Sequence, residues 1–144
     1  MPFGQISITV TGNLTDDPQL RYTPNGVPVT TFTVATTERV KDGSGGWADG
    51  DTVFLRADCW RALAEHAAES LRKGSRVVVT GTLRARRWET KEGESRTSWE
   101  IRADEVAASL TFATVVITKA GRSNGPVPED PWASPASGDD EPPF

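Results

Sequence analysis

Residues 75–88 read SRVVVTGTLRARRW, and taken two at a time they separate into unlike faces. The even positions are Arg76, Val78, Thr80, Thr82, Arg84, Arg86 and Trp88, whereas the odd positions begin Val77, Val79, Gly81, Leu83 and Ala85. Successive side chains of a strand point to opposite sides, so this stretch predicts a β-strand with one core face and one cationic face ending in an indole. Such a face suits a ligand that is both anionic and flat, as a nucleic-acid strand is. Taken alone, the pattern is better described as a half-solvated amphipathic strand. The rest of the chain decides between the two.

The alternation recurs on both sides of it. In residues 5–14, Ile6, Ile8, Val10, Gly12 and Leu14 alternate with Ser7, Thr9, Thr11 and Asn13, which predicts a strand buried on one face. Gly12 in its interior marks a bend or a close backbone approach. Asp16-Asp17-Pro18 breaks that strand, and Thr23-Pro24-Asn25-Gly26 is a turn signature. A β-rich run follows over 27–37. In residues 52–60, Val53, Leu55, Ala57 and Cys59 form a core face, and Phe54, Arg56, Asp58 and Trp60 form an aromatic and charged one. Between these two strands lies KDGSGGWADG, Lys41–Gly50, whose glycines and lack of period predict a mobile loop carrying Trp47.

Leu63, Ala64, Ala67 and Leu71 then recur at helical spacing, with Gly74 placed as a C-terminal cap. After residues 75–88 come a turn around Lys91–Glu94 and a strand over 95–103, in which Trp99, Ile101 and Ala103 share the core side. These two strands predict a long hairpin. Leu110–Lys119, rich in threonine and valine, is a last β-like run.

Charge divides the chain. Residues 1–122 hold all 16 Lys and Arg against 15 Asp and Glu, a net of +1, while residues 123–144 hold five acids and no base. A nearly neutral body argues against a general polycation but leaves room for a local cationic face. Residues 121–144 contain six of the ten prolines and no hydrophobic period, so they predict a disordered tail. With one cysteine, Cys59, and one histidine, His66, neither a disulfide framework nor a zinc cluster is expected. No cofactor is called for. No nucleophile–base constellation accompanies Asp16, Asp17 or Asp58, so an enzyme is not expected either. No apolar run approaches the roughly 20 residues of a membrane span, and a cytoplasmic, nucleoid-associated protein is the expectation.

Three strands, a helix and a two-stranded hairpin give the order of an all-β, five-stranded OB-fold barrel with its helix between strands 3 and 4. An extra C-terminal strand and the acidic tail complete the expected architecture. The domain is placed at 1–120 and the Pro-rich tail at 121–144. In detail the chain resembles bacterial single-stranded DNA-binding proteins of the actinobacterial type. The resemblance rests on Gly12-Asn13-Leu14 with Asp17-Pro18, Arg21-Tyr22-Thr23-Pro24-Asn25-Gly26, Leu71-Arg72-Lys73-Gly74-Ser75, Gly81-Thr82-Leu83-Arg84 through Trp88, and the terminal Pro143-Phe144.

That resemblance implies a homotetramer of OB folds that binds and protects single-stranded DNA without sequence preference during replication, recombination and repair. It places the base-stacking rings at Phe54, Trp60 and Trp88. Arg56, Arg76, Arg84 and Arg86 are the expected phosphate partners, with Lys73, Arg21 and Arg87 as helpers. The tip Asp139, Asp140, Glu141, Pro142, Pro143 and Phe144 is implied to recruit replication, recombination and repair proteins. A further stacking tryptophan of many family members aligns with Val40, so either one platform is missing or Trp47 substitutes for it. Leu110–Lys119 resembles a strand that clamps one dimer to another, or is a sixth strand within the subunit. An OB-fold interaction module and an RNA-binding protein with weak DNA binding are the alternatives.

Overall fold

The computed structural model describes residues 4–120. The acidic tip at Asp139–Phe144 and the expected tail at 121–144 lie outside them. The strands are β1 (Ile6–Leu14), β2 (Gln19–Tyr22), β3 (Pro28–Lys41), β4 (Trp47–Trp60), β5 (Arg76–Glu89) and β6 (Ser95–Ala108), with one helix, α1 (Ala62–Ser70), between β4 and β5. Hydrogen bonding runs β1-β5-β6-β4-β3, and a β1–β3 pairing closes the ring. Five strands thus form an OB barrel, with β2 added to the outer edge of β3. Counting the ring alone, the helix falls between its third and fourth strands, as the sequence pattern predicts.

Closure depends on two glycines that let backbones meet. At its end β1 exchanges one partner for another: Ile6–Asn13 pair with β5, while Asn13 and Leu14 pair with β3. Gly12 sits at that crossing, where a Cβ would collide with the Ala35 carbonyl oxygen and lie 2.8 Å from Val34 Cγ1. Gly81 in β5 is equally confined, its missing Cβ pointing at the carbonyl oxygen of Arg102. Beside it the β5–β6 register shifts, Thr80 facing Glu105 and Gly81 facing Ala103. The extra residue, Asp104, is a bulge of the kind that bends a sheet into a barrel.

The odd faces of β4 and β5 enter the core where the strands lie in the barrel, but Val53, expected on the core face of β4, is 50% exposed where that strand runs out into the hairpin. Ala57, Cys59, Val77, Val79 and Ile101 are fully buried, together with Val34 from β3. Ala64, Ala67 and Leu71 close the barrel from the helix, and the buried Thr30 hydroxyl donates to the Ala64 carbonyl at 2.6 Å. Burial, and after it the neighbouring Asp58 charge, pushes the Cys59 thiol up to about 11. It therefore stays neutral at physiological pH and packs as a small apolar side chain.

Four other local features differ from the sequence reading. Lys41–Gly50 is not a loop: β3 runs to Lys41, β4 starts at Trp47, and only Asp42–Gly46 turn. The Asp42 carboxylate holds that turn, accepting from the Ser44 and Gly46 N–H groups at 3.0 and 2.9 Å and from the Ser44 hydroxyl at 2.9 Å. The side-chain bond from Ser44, then the two backbone bonds, hold its pKa below the usual value. Gly74 does not cap the helix, whose last turn ends with Leu71 as cap. Arg72 takes the loose carbonyls of Ala68, Glu69 and Leu71, and Gly74 adopts φ 87° in the turn that follows.

Trp99 shares the Ile101 side of β6, yet it is 53% exposed, because the β5–β6 hairpin extends past the end of the barrel and nothing covers it there. Residues 110–119 join no ladder of this chain. Val116 and Ile117 are left 94% and 87% exposed.

Candidate nucleic-acid interface

The outer face of the barrel can be followed through the ladders, because residues directly opposite each other share a face. On β4 it carries Phe54, Arg56, Asp58 and Trp60. Their β3 partners are Ala35, Thr33, Thr31 and Val29, and β2 adds Arg21 opposite Val29. Across the parallel β4–β6 pairing Arg56 faces Glu100, and across β5–β6 Glu100 faces Arg84, with Arg86 opposite Ser98 and Trp88 opposite Arg96. Strands far apart in sequence thus contribute one continuous surface.

Two adjoining clefts mark it. One, of about 710 Å³, is lined by Arg21, Arg56, Arg84, Arg86 and Arg87 with Thr31, Asp58 and Glu100. The other, of about 470 Å³, lies between Phe54 and Trp88, with Arg56, Arg86, Thr33 and Ser98 on its walls. Arg56, Arg86 and Glu100 border both. A run of guanidinium groups therefore opens into a slot walled by rings, with Phe54 63% and Trp88 43% exposed. Guanidinium groups bind phosphates through fixed forks of N–H donors, and exposed rings offer faces on which planar groups stack.

Charges within the clefts are arranged unevenly. The Glu100 carboxylate, whose side chain is only 13% exposed, reaches Arg86 at 3.5 Å and Arg56 at 4.0 Å. It sits between the two guanidinium groups and offsets part of their charge while fixing where they point. Asp58 has a buried oxygen, Oδ1, that meets no hydrogen-bond donor. Among the described residues no carboxylate pairs with Arg84 or Arg87, and Arg21 donates to the Thr31 hydroxyl at 3.1 Å.

Residues 6–109 match the model of the single-strand binding protein family. The chain belongs to that family. It is 49% identical to a single-stranded DNA-binding protein of Mycobacterium tuberculosis, over 98% of this chain and 99% of that one. With its counterpart from Mycolicibacterium smegmatis the identity is 50% at the same coverage. The small single-stranded DNA-binding protein of Streptomyces coelicolor superimposes with a TM-score of 0.67 at 37% identity, covering 75% of this chain and 97% of the other.

Of the site residues read from the sequence of this single-strand binding family member, the structure brings together Phe54, Trp88, Arg56, Arg84, Arg86, Arg87 and Arg21. Trp60 stands on the same face at the far end of β4, half-buried and opposite Val29. Arg76 and Lys73 are not part of the cluster. The Arg76 guanidinium stacks over Phe112, 5.4 Å from the ring centroid, and its backbone carbonyl accepts from Ser109 at 2.9 Å, so it anchors the C-terminal run. Lys73 lies at the corner after the helix, where its N–H donates to Asp17 at 2.7 Å and Asn13 reaches Gly74 at 3.0 Å. Those contacts use Asp17 as a structural acceptor. Two residues were missed. Glu100 could have been found from its even position in β6, beside the arginines of β5. Trp99 borders the Phe54–Trp88 cleft, and only the hairpin's overreach explains it.

Proposed function

We propose that this face binds single-stranded DNA without sequence preference and protects it during replication, recombination and repair. The observation that carries the reading is the meeting of Phe54, Trp88 and the guanidinium groups of Arg56 and Arg86 around one cleft, in a chain of the single-strand binding protein family. Phosphates would lie against the arginines while bases stack on the rings. Stacking accepts any base because every base has a π-face, and only an unpaired strand frees those faces. The reading involves binding alone and no bond-making step.

It extends to a homotetramer, to a cytoplasmic protein associated with the nucleoid, and to recruitment of replication, recombination and repair proteins by the terminal residues Asp139–Phe144. No described helix is long and apolar enough to cross a membrane.

Titration with oligo(dT) tests the central claim. Tryptophan fluorescence is expected to quench strongly as bases stack on Trp88, and affinity is expected to fall as salt rises, because each neutralised phosphate of a single strand contributes about −0.7 to the slope of log K against log salt. A protein that leaves its fluorescence unchanged under oligo(dT) at low salt does not have this function.

Glu100→Gln gives the sign of the carboxylate's effect. Removing one negative charge between Arg56 and Arg86 is expected to tighten oligo(dT) binding about threefold at low salt and to steepen the salt dependence. Filter binding at two salt concentrations reads both; a weakened complex would mean that the carboxylate matters for orienting the arginines rather than for offsetting them.

A further inference from the structure

The β3–β4 hairpin carries a ring, Trp47, that lines neither of the two clefts. Trp47 is 59% exposed at the start of β4, and its parity in the sequence is wrong for the binding face. Odd residues of β4 belong to the side of Leu55, Ala57 and Cys59, so an uninterrupted strand would turn Trp47 that way. The ladder is interrupted. Thr37 faces Thr52, but the next pairs are Arg39 with Asp49, Val40 with Ala48 and Lys41 with Trp47. Only Glu38 intervenes on β3, whereas Gly50 and Asp51 both intervene on β4, which makes a β-bulge with one extra residue.

The unbulged strand keeps its alternation, so Thr31, Thr33, Thr37, Arg39 and Lys41 of β3 continue on one side. Trp47, opposite Lys41, joins them. The bulge therefore turns the indole onto the face that holds Phe54, Arg56 and Trp88. Gly50 is suited to the bulge: a Cβ there would lie 3.2 Å from Val40 Cγ1 and 3.3 Å from the Glu38 carbonyl oxygen. Val40, one rung short of Trp47, lies on the other side of the hairpin.

Resting on the single-stranded DNA reading, we infer that Trp47 is an additional base-stacking platform, which takes a base of the strand after it leaves the Phe54–Trp88 cleft. Its charge setting fits. Lys41 Nζ lies 5.8 Å from the indole centroid, placing a cation where a phosphate would accompany the stacked base. Arg39 stands on the same side, half offset by Asp49 at 3.6 Å. Asp42 is occupied with holding the turn. Six residues of β3 separate the rung of Phe54 from that of Trp47, a span of roughly 20 Å at about 3.3 Å per residue. A strand must therefore be long enough to run from one to the other.

That length dependence is the test. Trp47→Ala, Trp47→Phe, Trp88→Ala and the unmodified protein are titrated with oligo(dT) of about 5 nucleotides and of about 30. Trp47→Ala is expected to weaken the long oligonucleotide about tenfold and leave the short one unchanged, Trp47→Phe to restore most of the loss, and Trp88→Ala to weaken both. If Trp47→Ala binds both lengths as the unmodified protein does while Trp88→Ala does not, the indole at the hairpin tip is no platform and the inference fails alone. An equal loss at both lengths also overturns it, since the ring would then act inside the cleft or through the fold. If the unmodified protein binds neither length, it is the single-stranded DNA reading itself that falls.

Discussion

Gly12→Ala is expected to cost the fold about 3 kcal/mol or more and to lower the melting temperature by on the order of 10 °C. Two of the three atoms that the new methyl group would meet belong to the backbone of β3, the carbonyl oxygen and carbon of Ala35, and the third is Cγ1 of Val34, which has no exposed surface. None of these is the free end of a flexible side chain. Relief requires β1 to move away from β3 at Asn13 and Leu14, and that pairing is the one that closes the ring. Gly43→Ala is the matched control, because nothing lies within 4 Å of its missing Cβ. Thermal melts of the two variants separate a steric effect from the general loss of a glycine. Should Gly12→Ala melt together with Gly43→Ala, the close approach of β1 to β3 is not what holds the barrel shut.

Gly12 also shows how far a sequence can be read. A glycine in an alternating strand announces a close approach but does not name the partner, since β3 lies some twenty residues on and only closure brings Ala35 to it. The core was legible in the middle of the strands, as in Ala57 and Cys59 of β4 or Val77 and Val79 of β5, but not at their ends, where Ile6 and Val53 keep the alternation and are exposed. It misled at Trp99, because parity says which side a residue is on and not whether anything covers that side. It misled again at Arg76, whose even position resembles those of Arg84 and Arg86. The strand curls round the barrel, so its first arginine meets Phe112 and its later ones meet the clefts. Glycine content suggested a loop at Lys41–Gly50, but the side chain of Asp42 supplies a tight turn and Gly50 a bulge, so the hairpin forms with its glycines in use. A bulge is a property of two strands in register, and one strand's sequence does not contain it.

Arg86→Glu and Trp88→Ala are expected to produce the largest losses of single-stranded DNA binding, and salt should tell them apart. Both residues stand on one face of β5, two positions apart, and both line the Phe54 cleft. Trp88→Ala removes a stacked base worth about 1–3 kcal/mol, or roughly 5- to 150-fold in affinity. No charge changes, so the loss should be the same at low and high salt. Arg86→Glu reverses a charge that borders both clefts and places a second carboxylate beside Glu100. Its loss should reach on the order of 100-fold at low salt, and the slope of log K against log salt should become shallower by about 0.7 for the phosphate no longer neutralised. The penalty should shrink as salt screens the repulsion over a Debye length of about 10 Å at 0.1 M. The Arg86 side chain is 58% exposed, so melting should be little altered and any loss of binding can be assigned to the face rather than the fold. Equal salt slopes for Arg86→Glu and the unmodified protein would remove Arg86 from the phosphate path and leave the rings to account for binding without it.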